Sequence, residues 1–331
     1  MASDEGFSDL NYRNAVARGI SQEMRRDTSV VLLGEDVANA GGVFKTTVGI
    51  LDEFGPTRVF DTPISEQGFL GMAMGAAMTG FRPIVEIMFS DFLAVCWDIV
   101  ANQIAKTRYM TAGQVSIPIV IRTANGGGVG FGAQHSQSLE NWAMMIPGLK
   151  VVAPSNPADV VGLLAAAIRD PDPVLFFEHK ALFASTGPVP DGEHVDELGT
   201  AKTLRVGTDC TIVALAAMVP VALNAAKLLA EIGIDAEVID LRCLVPLDIE
   251  SVKSSTAKTA KLFTVEENPR LCGWGAEVVS QIVEESFFAL EIAPIRISTP
   301  HIPLAASRSL EEVQIPSAQR VFDVIRSALE R

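Results

Sequence analysis

Two hydrophobic patterns alternate along this chain, one repeating every three to four residues and one running unbroken. Residues 11–27 set Tyr12, Val16, Ile20 and Met24 four apart, which is one stripe of an amphipathic helix, and SVVLLG at 29–34 then reads as a buried strand. The alternation continues through a small-residue helix (67–80, QGFLGMAMGAAMTG), a strand (PIVEIMF), a helix over about 92–110, a strand (IPIVIRT), a glycine-rich loop and a strand (LKVVAP). A helix over 157–169 follows, with Asn156 as N-cap and Pro157 at its first position, and then the strand PVLFFE. The stretch 183–199, FASTGPVPDGEHVDELG, has the proline, glycine and acidic content of a connection between domains. Beyond it, strands TIVALA, AEVIDL, KLFTVE and PIRIS alternate with helical patterns near 218–232, 248–257, 273–290 and 316–330. The pattern predicts an α/β protein of two doubly wound, parallel-sheet domains, 1–185 and 200–331, joined by a linker at 186–199.

Composition narrows the class. A chain of 331 residues suits about two domains, and 48% apolar with 20% charged residues leaves little room for long disorder. With 26 Lys and Arg against 40 Asp and Glu the net charge is −14, which opposes the counterion-release attraction of nucleic-acid binders and disfavours anionic membranes. Four cysteines, Cys96, Cys210, Cys243 and Cys272, form no Cys-x-x-Cys pair, so neither a zinc knuckle nor a redox dithiol is read. The start MASDEGFSDLNY has neither secretory nor transit character, and no apolar run reaches ~18 residues, so a cytoplasmic chain is expected.

Several residues stand in positions suited to chemistry. Gly128-Val129-Gly130-Phe131-Gly132-Ala133 satisfies the dinucleotide form G-x-G-x-x-A, but no helix opens on it and no acidic residue ends a strand about 20 positions later. Its glycines serve better to let backbone approach something closely. The loop delivers Gln134-His135-Ser136-Gln137-Ser138, a histidine among amides and hydroxyls near a strand's carboxyl end. Alone, His135 also reads as a structural histidine, and His179, His194 and His301 share no ligand spacing with it. Glu66 in DTPISEQGF falls in the first turn of a helix that Ser65 could cap, where a carboxylate also simply suits the dipole. Glu35 and Asp36 end a strand, where ligands bind open sheets or where a solvated pair sits, and Phe92 on a helix would ordinarily be core.

Taken together, LGEDV, GVFKTT, FGPTRVFDTPISEQGF, GAAMTGFRPIVEIMFSDF, AKTRYM, QHSQS, GLKVVAPSNPAD and AAIRDPDPVLFFEHK resemble one family. It is the beta subunit of the thiamine diphosphate-dependent first component of 2-oxo acid dehydrogenase complexes, a transketolase-like fold. VIDLRCLVPLD and VEENPRLCGWGAE extend the resemblance over nearly the whole chain, whereas YMTAG and the linker depart from the family pattern. IMFSDF and FFEHKALF are most similar to the acetoin dehydrogenase branch, with the pyruvate branch next.

The resemblance implies a pyrimidine-binding first domain and a transketolase C-terminal-like second domain. It makes Glu66 the carboxyl on the cofactor's aminopyrimidine, favouring the imino form whose nitrogen removes the thiazolium proton. Phe92 matches the aromatic stacked on that ring, and Glu35 an acidic residue of the cofactor set in a water-filled tunnel joining paired sites. His135 matches a histidine that stabilises intermediates and supplies a proton during acyl transfer to lipoamide. Ile119, Ala167, Ile168, Asp170 and Asp172 resemble a potassium site built chiefly of backbone oxygens. The family holds the diphosphate and magnesium through Gly-Asp-Gly, absent here. An alpha subunit is therefore expected to supply that half in an alpha2-beta2 assembly, working with a lipoyl acyltransferase core on acetoin or a small 2-oxo acid. The rival readings are a non-catalytic partner-binding subunit of the same fold and a nicotinamide-dependent oxidoreductase.

Overall fold

Tyr12, Val16, Ile20 and Met24 all point inward, each essentially inaccessible to solvent, so the stripe that predicts the first helix also builds the first core. The computed structural model describes residues 6–330. Residues 1–5 and 331, the outermost ends of the two expected domains, lie outside the described residues. Contacts divide the chain into two units, one of 6–125 with 142–198 and one of 126–141 with 199–330.

In chain order the first unit contains β1 (Phe7–Asn11), α1 (Tyr12–Arg26), β2 (Val30–Gly34), α2 (Ile50–Phe54), β3 (Val59–Asp61), α3 (Glu66–Met78) and β4 (Arg82–Phe89). The helix expected over 92–110 is α4 (Leu93–Asp98), a π-helical turn (Ile99–Ile104) and α5 (Ala105–Met110), then β5 (Val120–Asn125). After the glycine loop come α6 (Glu140–Met144), β6 (Lys150–Val152), α7 (Pro157–Arg169), β7 (Val174–His179) and β8 (Thr186–Pro190). Asn156 caps α7 by accepting from the Asp159 amide, and Pro157 takes the first position. Gly19 lets α1 approach α7: a Cβ there would stand 3.3 Å from Leu164 and 3.4 Å from the Val161 backbone.

The first unit's strands run in the order β6-β7-β5-β4-β2-β3, all parallel. From β2 the chain goes to β3 on one side and then to β4 on the other, which makes the carboxyl ends of β2 and β4 a topological switch point. Glu35 follows β2 there, Ser90–Phe92 follow β4, and Glu66 opens the helix after β3.

Part of the stretch read as connecting chain is structured, since β8 pairs antiparallel with β1 from Phe7 opposite Pro190 to Asn11 opposite Thr186. Pro188 and Pro190 are tolerated because this two-stranded sheet is all edge. Ser65 also differs from expectation. It occupies the N-cap of α3 but makes no side-chain capping bond, its ψ of 71° lying outside the extended geometry that turns a capping hydroxyl onto the helix amides.

The second unit adds β9 (Lys202–Arg205), β10 (Cys210–Ala214), α8 (Met218–Glu231), β11 (Ala236–Asp240), β12 (Cys243–Val245), α9 (Ile249–Thr259) and β13 (Leu262–Pro269). It ends with α10 (Gly275–Ser286), β14 (Ile295–Thr299), α11 (Arg308–Gln314) and α12 (Ala318–Leu329). The sheet order is β14-β13-β10-β11-β9, parallel except for β9. Two α/β units with parallel-rich sheets are thus present, as the alternation predicts. Among the described residues no helix is long and apolar enough to cross a membrane.

Candidate active site

Glu66 is the first residue of α3 and is only 8% exposed, so its carboxylate meets the positive end of the helix with little water around it. Glu35 is equally sheltered, and its Oε1 is buried with no hydrogen-bond partner among the described residues. Burial, then the charge of Glu66, then that of Asp36 raise the Glu35 carboxyl above its ordinary value. Cys96 completes the group: burial, followed by the charge of Glu66, pushes its thiol up to about 12, which keeps it protonated and inert. That thiol lies 3.6 Å from the Phe92 carbonyl, on a helix start that kinks at Cys96 itself (φ −121°, ψ 17°). Glu66, Glu35, Cys96 and Phe92 therefore gather at the switch point.

Phe92 is half-buried and belongs to a row of rings, packing edge-on against Phe89 at 5.4 Å between centroids. Phe89 meets Phe44 at 5.5 Å, Phe44 meets Phe183 at 5.1 Å, and Phe183 meets Tyr12 at 5.8 Å. Beneath this row Arg122 is buried and forked onto Glu178 at 2.7 and 2.8 Å, with Glu86 at 3.0 Å. Burial disfavours the guanidinium charge, but two carboxylates outweigh it and hold Arg122 protonated. This cluster stiffens the middle of the sheet whose ends carry the site.

Ile119, Ala167, Ile168, Asp170 and Asp172 lie at the opposite, amino-terminal end of β5 and β7. They offer hard oxygens, as a potassium ion requires. Each of the first four carbonyls already accepts a bond: Ile119 from the Val174 amide, Ala167 from the Asp170 amide, and Ile168 and Asp170 from the Arg82 guanidinium at 2.8 and 3.2 Å. The Asp170 carboxylate pairs with Lys150 at 2.5 Å and that of Asp172 with Arg108.

His135 belongs to the second unit, on the loop that leaves β5. Gly126, Gly128, Gly130 and Gly132 all adopt positive φ, between 74° and 83°, so alternate residues of the loop turn into the region that favours glycine. The amides so presented close on carboxylates of this same chain. Gly127 donates to Glu267 at 2.6 Å, while Gly128 and Gly130 donate to the two oxygens of Glu311 at 2.9 and 2.8 Å. What the backbone approaches closely is thus a pair of buried glutamates, and amides occupied in this way do not cradle a dinucleotide pyrophosphate. Neither glutamate is foreseeable from local sequence, although a run of alternate glycines does signal amides in need of an anion. Cys96 is signalled only by its helical spacing from Phe92.

The residues present fit the pyrimidine half of thiamine diphosphate: a sheltered carboxyl, an aromatic face and an orphaned buried carboxyl oxygen meet at one sheet edge. A matching phosphate half is not evident, since the chain contains no Gly-Asp-Gly.

The description "Transketolase, pyrimidine binding domain" matches residues 8–185, and "Transketolase, C-terminal domain" matches 199–321. The chain is 44% identical over 324 residues to the pyruvate dehydrogenase E1 component subunit beta-2, mitochondrial, of Oryza sativa subsp. japonica, spanning 97% of this chain and 85% of that one. It is 44% identical over 328 residues to the beta subunit of acetoin:2,6-dichlorophenolindophenol oxidoreductase of Bacillus subtilis (strain 168), spanning 95% and 96%. Among solved structures, a split gene transketolase described as an inactive beta4 tetramer superposes with a TM-score of 0.80 at 25% identity, over 97% of this chain and 99% of that one.

Proposed function

The chain belongs to the family of E1 beta subunits built from transketolase pyrimidine-binding and C-terminal domains, and from that premise we propose that, with an alpha subunit, it activates thiamine diphosphate for cleavage of a carbon–carbon bond next to a carbonyl. The substrate is acetoin or a small 2-oxo acid, and the acyl group passes to lipoamide on an acyltransferase core. When bound, the cofactor supplies an acidic thiazolium carbon and an amino group placed to take its proton.

The single observation that carries this reading is the placement of Glu66, sheltered at the first position of α3 and electrostatically linked to Glu35 and Cys96 at the switch point. There Glu66 holds a proton against the pyrimidine nitrogen, a task for which a carboxyl can cycle between donor and acceptor. Phe92 offers a ring face to the pyrimidine and is held by packing on Phe89. Glu35 sits beside Glu66 with its carboxyl held above the ordinary value by burial and by the charge of Glu66, which suits a group that relays a proton. His135 supplies a proton to the acceptor during transfer.

Magnesium and the diphosphate fall to the alpha subunit in an alpha2-beta2 assembly. Potassium at Ile119, Ala167, Ile168, Asp170 and Asp172 rests on oxygen chemistry alone, and Arg82 would have to yield two carbonyls to it. The four free cysteines support a reducing compartment, the cytoplasm in this reading.

Reconstitution with an alpha chain tests the proposal. Reduction of an artificial electron acceptor is expected with acetoin or one of the 2-oxo acids, and a complex that binds the cofactor yet turns over none of them would defeat it.

A further inference from the structure

The loop that carries His135 has an anchoring system of its own. Glu311 is 1% exposed, lies on α11 far along the chain, and receives the Gly128 and Gly130 amides on its two oxygens. Glu267 receives the Gly127 amide at 2.6 Å and the Ser138 hydroxyl at 2.9 Å on one oxygen, so it ties the two ends of the loop together. Asn268 adds bonds to the Ser138 carbonyl at 2.9 Å and to Glu140 at 3.0 Å. Gly127 is crowded as well: a Cβ there would stand 2.7 Å from the Leu304 side-chain end and 3.0 Å from that of Ile315, so those side chains would have to shift. The loop also walls a cleft of about 410 Å³ through Ala133, Ser136 and Ser138, while Gly130 and Gly132 pack closely on Ala306. Charge-assisted bonds therefore add to packing in holding the loop.

We infer that Glu311 and Glu267 are positioning residues for His135: their carboxylates fill the concavity of amides in the glycine loop and thereby fix where the imidazole stands during acyl transfer. This rests on the reading of His135 as the proton donor for that step. A fixed donor matters most where a proton must meet a developing charge, and least for reactions that bypass the acceptor.

The test uses the reconstituted alpha–beta complex carrying Glu311→Ala, Glu311→Gln, His135→Ala and the double variant His135→Ala/Glu311→Ala. Hydrogen exchange in the peptide spanning 126–141 should quicken in Glu311→Ala while exchange elsewhere is unchanged. Transfer to lipoamide should fall about tenfold, with turnover on an artificial electron acceptor held within about twofold. Glu311→Gln keeps one acceptor oxygen and should recover part of the loss, and the double variant should transfer no more slowly than His135→Ala alone. Unchanged loop exchange in Glu311→Ala, or losses that multiply in the double variant, would overturn the inference. Wild-type transfer by His135→Ala would instead remove the reading of His135, while the anchoring measured by exchange would stand on its own.

Discussion

Glu35 and Glu66 share one electrostatic environment at the switch point, where the charge of Glu66 adds to burial in holding the Glu35 carboxyl above its ordinary value. A raised carboxyl favours the protonated form in the folded state. Its contribution to stability is therefore complete below the unfolded value of about 4.5 and is lost as pH rises through the folded one. Glu35→Gln should accordingly melt higher than the parent at neutral pH, with the difference shrinking towards pH 4. Thermal melts across that range check the sign, and a variant less stable than the parent at pH 7 would show that Glu35 is instead stabilised as a carboxylate.

Glu66→Gln should leave the fold and assembly intact and lower turnover by about two orders of magnitude or more, because an amide cannot cycle a proton. Rapid-quench measurement of thiazolium proton exchange in the complex isolates the step. Exchange at the parent rate would remove Glu66 from cofactor activation.

Arg122 should be the most costly single cation to remove from the first unit. Arg122→Met leaves Glu86 and Glu178 buried without their counter-charge, a loss of about 3–5 kcal/mol. Adding Glu86→Gln and Glu178→Gln should recover much of it, since the uncompensated charge is what destabilises. Denaturant midpoints of the single and triple variants decide this, and a triple variant no better than the single would assign the loss to packing instead.

Potassium binding at the amino-terminal end of β5 and β7 should appear as a higher melting temperature in potassium chloride than in sodium chloride of equal ionic strength. Asp170→Asn should abolish the difference. Equal melting of the parent in both salts would rule out a potassium site there and leave Arg82 as the resident positive charge.

Legibility in the sequence followed the length and regularity of each signal. The stripe of α1, the cap of α7 and the apolar runs of β2, β4 and β7 are all local, and each stands close to where periodicity puts it. Missed elements are short or lack periodicity: β1 and β8 have polar, proline-bearing strands, and α11 spans seven residues. Glu35, Glu66 and Phe92 were visible as candidates because each follows a recognisable strand or opens a recognisable helix. Their convergence was not visible, since it depends on β2 and β4 being neighbours at the point where the strand order reverses. Glu267 and Glu311 were hidden for the same reason, as they meet the glycine loop across more than a hundred residues of chain.

In the proposed function this chain carries the pyrimidine half of a shared site and depends on an alpha partner for the rest. Calorimetric titration of thiamine diphosphate with magnesium into the purified chain, and into its complex with alpha, tests that claim most directly. A charged diphosphate needs a metal ion and preorganised donors, and Glu66 and Phe92 supply neither. Weak binding and no turnover for the chain alone, with tight binding and activity on adding alpha, is the predicted result. Micromolar binding by the chain alone, or turnover without any alpha subunit, would contradict it.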